Sequence, residues 1–79
     1  MLEDTIERLA AVRYYFDIKG DRVPVRDQDG QEFPLRSDAI LHTHRLAHRL
    51  RDQGTFNGQN ARICVTSESG AIIHEEDVS

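Results

Sequence analysis

The sequence contains no tryptophan, a single cysteine, two prolines and one methionine among its 79 residues. The single cysteine excludes an internal disulfide framework and is typical of proteins in a reducing compartment. All apolar runs are short, and none approaches the length of a transmembrane helix or a signal-peptide core. Hydrophobic residues make up 38% and charged residues 30%, which excludes a disordered or collagen-like chain. We therefore expect a soluble, cytoplasmic, folded protein with no membrane partner.

The length and the charge of the chain restrict its class further. A chain of 9.1 kDa has room for one domain, and a domain of this size leaves much of its surface uncovered. The net charge is −4, so the chain as a whole does not attract nucleic acid or anionic lipid. These features favour a small single domain that acts through a local surface.

Alternating apolar and polar residues predict four β-strands. The clearest strand covers residues 13–18, in which aromatic and aliphatic side chains fall at every second position. A second strand is predicted around Val23 and Val25. It should lie at a sheet edge or start at Pro24, because Pro24 has no N–H to donate to a neighbouring strand. The third and fourth strands are predicted over residues 61–66 and 71–74.

Apolar residues spaced three and four apart predict one long helix that ends near Gln53. Ser37 or Asp38 is expected to cap its beginning, and Gly54 is expected to end it in the left-handed conformation. The buried stripe is predicted to consist of Ala39, Thr43, Leu46, Ala47 and Leu50.

The two ends of the chain are expected to differ from this core. Residues 1–12 have the spacing of an amphipathic stretch, which forms either a short N-terminal helix or an unstructured extension. Residues 75–79 are expected to form a frayed acidic tail. The single domain would then cover residues 13–74.

The order strand, strand, helix, strand, strand predicts an α+β fold with a small antiparallel sheet of about four strands. One helix covers only one face of such a sheet. The other face must be polar, covered by residues 1–12, or buried against a second copy of the chain. Together with an exposed Leu41 on the helix, this arrangement favours self-association, and we expect a homodimer.

Two segments, residues 25–33 and 65–73, each place a polar turn with a glycine between apolar residues. This pattern predicts two tight hairpins. The acidic residues of the first segment, Asp27, Asp29 and Glu32, also suggest a calcium loop. Their spacing lacks the ligand pattern of an EF-hand, so a hairpin turn is favoured.

Two short motifs resemble those of a protein family. Residues 13–18 read Arg-Tyr-Tyr-Phe-Asp-Ile and residues 27–32 read Asp-Gln-Asp-Gly-Gln-Glu, ahead of the helix and a final strand with a glycine turn. This pattern resembles a family of small bacterial proteins of unknown function that carry R-Y-F-F-D and D-x-x-G-x-E at these places. The resemblance spans residues 13–73, and the helix departs from the family pattern by its several histidines. Because the family has no assigned activity, the resemblance implies a fold and no catalytic residue.

Three histidines, His42, His44 and His48, lie on the predicted helix. The separation of His44 and His48 by four residues stacks their imidazoles on one face, as in helical zinc sites. A helical wheel places both opposite the buried stripe, and the glutamate of an H-E-x-x-H motif is absent. A third ligand requires His74 or Glu75 to lie beside the helix. We therefore favour a solvated helix face without metal or cofactor, and a metal- or pH-responsive module remains an alternative.

The same helix carries four arginines against two aspartates within an acidic chain. An exposed basic helix can bind an acidic protein partner or, as an alternative, the phosphates of nucleic acid. The isoelectric point of about 5.4 and the lack of a known binding motif argue against nucleic acid. The candidate interaction face consists of Leu41, His44, Arg45, His48, Arg49 and Arg51.

No residue pattern indicates an enzyme. Cys64 has no base beside it in the sequence and is expected to be a buried structural cysteine. The run Tyr14, Tyr15, Phe16 can stack on nucleic-acid bases, but it is more typical of a core strand whose middle residue lies on the opposite face. The sequence has neither a phosphate-binding loop nor the residue order of a catalytic triad. We therefore expect a small non-enzymatic binding or regulatory module.

Overall fold

The computed structural model describes residues 12–21, 24–56 and 58–78. The elements within these residues are β1 (Val12–Gly20), β2 (Gln31–Phe33), α1 (Arg36–Gln53), β3 (Ala61–Ser67) and β4 (Ile72–Asp77). The four strands form one antiparallel sheet in the order β2-β1-β3-β4, and α1 packs on one face of it. This confirms the predicted α+β fold in ββαββ order. The extension predicted over residues 1–12 lies outside the described residues, except for Val12 at the start of β1.

The helix lies close to the sheet because its buried stripe consists of small side chains. Ala39, Thr43 and Ala47 are fully buried, and the Thr43 hydroxyl donates a hydrogen bond to the Ala39 carbonyl at 2.9 Å. Leu46 and Leu50 flank this stripe and are partly buried, so the predicted stripe is confirmed. No helix within the described residues is long and apolar enough to cross a membrane. The buried residues of the sheet include Tyr14, Phe16, Ile63 and Val65.

Both ends of α1 are fixed by backbone hydrogen bonds. Leu35 is the N-cap residue, and the N–H groups three and four residues later donate to its carbonyl at 3.1 and 3.4 Å. The predicted cap at Ser37 or Asp38 is wrong, because the first turn closes on Leu35 and no side chain caps it. Gly54 ends the helix as predicted, with a φ of 66° and its N–H directed at two carbonyls of the last turn.

The second strand lies later in the chain than the sequence predicts. Val25 forms only an isolated bridge with Ile18, through N–H···O distances of 2.8 and 2.9 Å. The pairing resumes at β2, which lies against the beginning of β1. Residues 26–30 leave the ladder between these two pairings, so the hairpin predicted over residues 25–33 is wrong. Val23, the other half of the predicted strand, lies outside the described residues.

The last strand, β4, continues beyond its predicted end. A tight turn joins it to β3, as predicted, with Gly70 at a φ of 89°. The pairing with β3 extends to Asp77, and the Val78 N–H donates to the first carbonyl of β3 at 3.0 Å. Val78 is only 1% exposed and belongs to the core. The prediction that residues 75–79 form a frayed tail is therefore wrong as far as Val78, because this apolar residue anchors the chain after β4.

The face of the sheet opposite α1 is polar. Residues that are paired directly across neighbouring strands point to the same face, which places Asp17, Cys64 and Glu75 in one row on this side. Arg62 and Lys19 form the next pair along the same face. The described residues of this face are thus mostly polar, whereas cover by residues 1–12 or by a second copy of the chain stays a prediction.

Candidate functional site

The acidic residues of the two family-like motifs hold the loop between β1 and β2. The Asp27 N–H donates to Asp17 Oδ1 at 2.8 Å, and Asp27 Oδ2 accepts the Phe16 N–H at 3.1 Å. The other oxygen, Asp27 Oδ1, accepts the Gly30 N–H at 3.0 Å. Because backbone donors occupy both carboxylate oxygens of Asp27, this segment is a structural turn, which argues against the calcium alternative.

Arg13 has a similar structural role near the start of β1. Its guanidinium donates to the Asp29 carbonyl at 2.7 Å and lies 3.3 Å from the Glu32 carboxylate. Gly30 has a φ of 70°, and a Cβ at this position would lie 2.8 Å from the Tyr14 carbonyl oxygen. The residues that carry the family resemblance therefore stabilise the fold.

A cluster of two histidines and one glutamate joins α1 to the edge strand β4. His44 extends from α1, whereas His74 and Glu76 are two residues apart on β4 and share the face that α1 covers. Glu76 Oε1 lies 2.6 Å from His44 Nδ1 and 3.1 Å from His74 Nε2. One donor atom from each side chain lies within 4.8 Å of the other two. Among the described residues, these three side chains are the ones that could hold a metal ion.

The glutamate of this cluster is ionised at neutral pH. Burial by itself raises the pKa of Glu76, but hydrogen bonds from His44 and His74 lower it, and the charges of the two imidazoles lower it further. The net result is a pKa below the ordinary value. The cluster thus presents a negative carboxylate between two imidazole rings, whose centroids are 5.5 Å apart.

The cluster differs from the metal ligands that the sequence suggested. The side chain of His48 is 73% exposed and lies 3.3 Å from Asp52, so it faces solvent as predicted and has no part in the cluster. Glu75 lies on the opposite face of the sheet, 3.1 Å from Arg62. Glu76 takes its place because β4 continues to Asp77 with alternating sides. The alternation of polar His74 and Glu76 ahead of apolar Val78 was the available signal.

The predicted interaction face on α1 divides into two parts. On the side towards β4, His44 contacts Glu76, and the Arg51 guanidinium donates to the Asp77 carbonyl at 2.6 Å. The other four residues of the predicted face are exposed and lie on the solvent side of the helix and towards β2. We call them the outer face of α1. The outer face consists of Leu41, Arg45, His48 and Arg49.

The outer face carries positive charge on Arg45 and Arg49. No carboxylate among the described residues lies within ion-pair distance of Arg45 or Arg49, whereas Arg13 and Arg62 each have one. The two arginines also act on His42, whose ring packs 4.9 Å from that of Phe16. Burial lowers the pKa of His42, and the charges of Arg49 and Arg45 lower it further.

Cys64 is a buried thiol in the middle of the sheet, as predicted. It is 1% exposed, and its sulfur lies 4.0 Å from Glu75 Oε2. Burial raises the pKa of the Cys64 thiol, and the carboxylates of Glu75 and Asp17 add to this, whereas Lys19 opposes it. The thiol is therefore protonated at neutral pH, as expected of a structural cysteine.

The fold and these surfaces define a class, a small α+β domain in which one helix covers an antiparallel sheet and carries two separate polar surfaces. The chain belongs to the family described as a domain of unknown function (DUF6894), whose profile matches residues 13–79. This confirms the resemblance to a family of unknown function. No curated protein and no solved structure matches the chain.

Proposed function

We propose that this protein is a small, non-enzymatic binding module of the cytoplasm that binds an acidic protein surface through the outer face of α1. The observation that carries the proposal is the pair Arg45 and Arg49, which are exposed, one helical turn apart and unpaired among the described residues. Arg13 and Arg62 each lie within ion-pair distance of a carboxylate of the chain, whereas the described residues place no carboxylate beside Arg45 or Arg49. Two neighbouring arginines that lack such partners suit an external carboxylate surface.

The outer face also has an apolar component, which favours a protein partner. Leu41 is 45% exposed beside Arg45, and an arginine stem next to a leucine offers apolar area as well as charge. Protein interfaces combine such arginines with apolar contacts, whereas phosphate backbones are bound mainly by charged and hydrogen-bonding groups. The overall charge of −4 also opposes a nucleic-acid partner. Nucleic acid is therefore the second candidate.

A second copy of the chain is one source of the acidic surface. The chain has 14 acidic against 10 basic residues. Two neighbouring acidic residues of β4, Glu75 and Asp77, are exposed. Self-association through these charges would weaken as salt is added, because exposed pairs are screened. Light scattering coupled to gel filtration at low and high salt distinguishes this source from a different protein.

Capture from the lysate of the native host tests the proposal with a charge-matched pair of variants. Arg45→Ala/Arg49→Ala removes two positive charges from the outer face, and Lys19→Ala/Arg26→Ala removes two exposed positive charges elsewhere. We expect the wild type and the Lys19/Arg26 variant to retain one stoichiometric protein after nuclease treatment, and the Arg45/Arg49 variant to lose it. Equal capture by both variants contradicts the proposal. Recovery that disappears with nuclease favours the nucleic-acid alternative.

A further inference from the structure

We infer that His44, His74 and Glu76 form a binding site for one divalent transition-metal ion, and that zinc is the ion they suit best. The site lies between α1 and β4, on the opposite flank of the helix from Arg45 and Arg49. It is therefore separate from the outer face of α1. A negative result for metal binding would leave the proposal of partner binding unaffected, and the reverse also holds.

The donor atoms select the class of ion. Two imidazole nitrogens and one carboxylate oxygen make the mixed nitrogen and oxygen set that zinc takes in sites with three protein ligands. Calcium requires six to eight oxygen ligands, and magnesium prefers oxygen in an octahedral arrangement, so one carboxylate does not hold either. Cysteine is absent from the cluster, which disfavours ions that require thiolate.

The present distances are close to those that an ion would impose. Ligands placed about 2.1 Å from a tetrahedral zinc ion lie about 3.4 Å from one another. Glu76 Oε1 lies 2.6 Å from His44 Nδ1 and 3.1 Å from His74 Nε2, and each separation is shorter than this by less than about 1 Å. All three donor atoms, including the two imidazole nitrogens, lie within 4.8 Å of one another, so the separations differ from this geometry by on the order of 1 Å. The three donors already converge from two elements, so little order has to be created on binding.

The exposure of the three ligands leaves one side of the site open. Glu76 and His74 are 17% and 25% exposed, whereas the side chain of His44 is 54% exposed. An ion would therefore have protein ligands towards the sheet and solvent on the side of His44. With three protein ligands, the fourth position would be taken by water or by a group from another molecule.

Binding would connect parts of the chain that are distant in sequence. His44 belongs to α1, and the other two ligands lie on β4 at the edge of the sheet. Because the unfolded chain does not hold the three donors together, the metal would stabilise the folded state and fix β4 against the helix.

Calorimetric titration of the metal-free full-length chain with zinc chloride tests the inference, with competition by a chromophoric chelator to measure the affinity. We expect one ion per chain for the wild type and for His48→Gln, which removes an exposed histidine of the same helix. His44→Gln and Glu76→Gln should each weaken binding at least about tenfold, because each removes a ligand of three. Magnesium and calcium should give no binding.

Two outcomes overturn the inference. One is the absence of stoichiometric zinc binding to the wild type. The other is an equal loss in His48→Gln and His44→Gln, which indicates adventitious binding by surface histidines. Titration of the wild-type protein with cobalt(II) is a second test, which does not depend on whether any variant folds. We expect the visible absorption of a protein-bound cobalt ion of low coordination number. The spectrum of the hydrated cobalt ion would contradict the inference. Arg45→Ala/Arg49→Ala should bind zinc as the wild type does.

Discussion

Asp27 shows how a single residue explains a sequence motif. Its carboxylate accepts the N–H groups of Phe16 and Gly30, and its own N–H donates to Asp17. The acidic pattern that suggests calcium in the sequence is thus used to close a turn. These partners lie up to eleven residues apart and could not be assigned from spacing alone.

Removal of this carboxylate should destabilise the protein. We expect Asp27→Ala to lower the free energy of unfolding by about 2 kcal/mol, because it leaves two backbone N–H groups of a partly buried loop without an ionised acceptor. The matched control is Asp29→Ala, whose exposed side chain has no partner among the described residues and whose carbonyl remains available to Arg13. Urea denaturation measures both values. Equal losses for the two variants would contradict a structural role of the Asp27 side chain.

Protonation of His42 is expected to lower the stability of the protein in mildly acidic solution. Burial and the nearby Arg49 and Arg45 hold its pKa below the ordinary value of 6.5, so the folded state favours the neutral ring. The unfolded chain takes up the proton first, and this contribution to stability is complete above about pH 6.5 and is lost as the pH falls through the folded-state pKa. Glu76 contributes at lower pH, since its stabilising effect is lost only below its ordinary value of 4.5.

Thermal melting between pH 7.5 and pH 5 in the presence of a chelator measures this effect. His42→Phe keeps an aromatic ring against Phe16 and Phe33 and should reduce the loss of stability with acid. His48→Gln, at an exposed position, should retain the loss of the wild type. If His42→Phe and the wild type lose the same stability over this range, the ring of His42 is not the group that takes up the proton.

The sequence predicted α1 closely, whereas it predicted the end of β4 incorrectly. The repeat of Ala39, Thr43 and Ala47 is a local signal, and it predicted the buried side of the helix correctly. The end of β4 depends on Val78, which is buried only because β3 lies beside it. From the sequence alone, the acidic residues near the end of the chain indicate a frayed tail, because the pairing with β3 cannot be seen there. The histidine cluster could not be assembled from the sequence for the same reason, since Glu76 faces α1 only when β4 continues past it.

The anchor at the end of β4 should contribute measurably to stability. We expect Val78→Ala to lower the free energy of unfolding by about 2 kcal/mol, because it removes two buried methyl groups and leaves a cavity. Ile72→Ala at the other end of β4 should cost less than about 0.5 kcal/mol, since Ile72 is 57% exposed. Denaturant titration of both variants provides the comparison. A cost for Val78→Ala as small as that of Ile72→Ala would indicate that the chain frays after β4.

Side chains attach α1 to β4 at two positions along the helix. His44 meets Glu76, and Arg51 donates to the Asp77 carbonyl. A domain of this size has a small margin of stability, so an ion that ties the helix to the edge strand would have a large effect on it. On the other flank, His42 packs against Phe16 and Phe33, and the exposed Arg45 and Arg49 form the surface for which we propose a partner.

Zinc should therefore raise the melting temperature of the intact protein. At a free zinc concentration one hundred times the dissociation constant, linkage predicts a gain of about 2.7 kcal/mol in the free energy of unfolding. Glu76→Gln should show little of this gain, and His48→Gln should show all of it. Scanning calorimetry with and without zinc measures the shift. A zinc-dependent rise of equal size in Glu76→Gln would place the ion elsewhere on the chain.

The polar surface of α1 consists of two parts, because His44 contacts Glu76 of β4 whereas His48 lies on the solvent side of the helix. The most direct measurement is a zinc titration of the wild-type protein followed by the imidazole nitrogen resonances of its histidines. We expect saturable changes at His44 and His74 at one equivalent of zinc, with His48 unchanged. Joint changes at His44 and His48, with His74 unaffected, would show that the two helix histidines act together and would contradict the division of the surface.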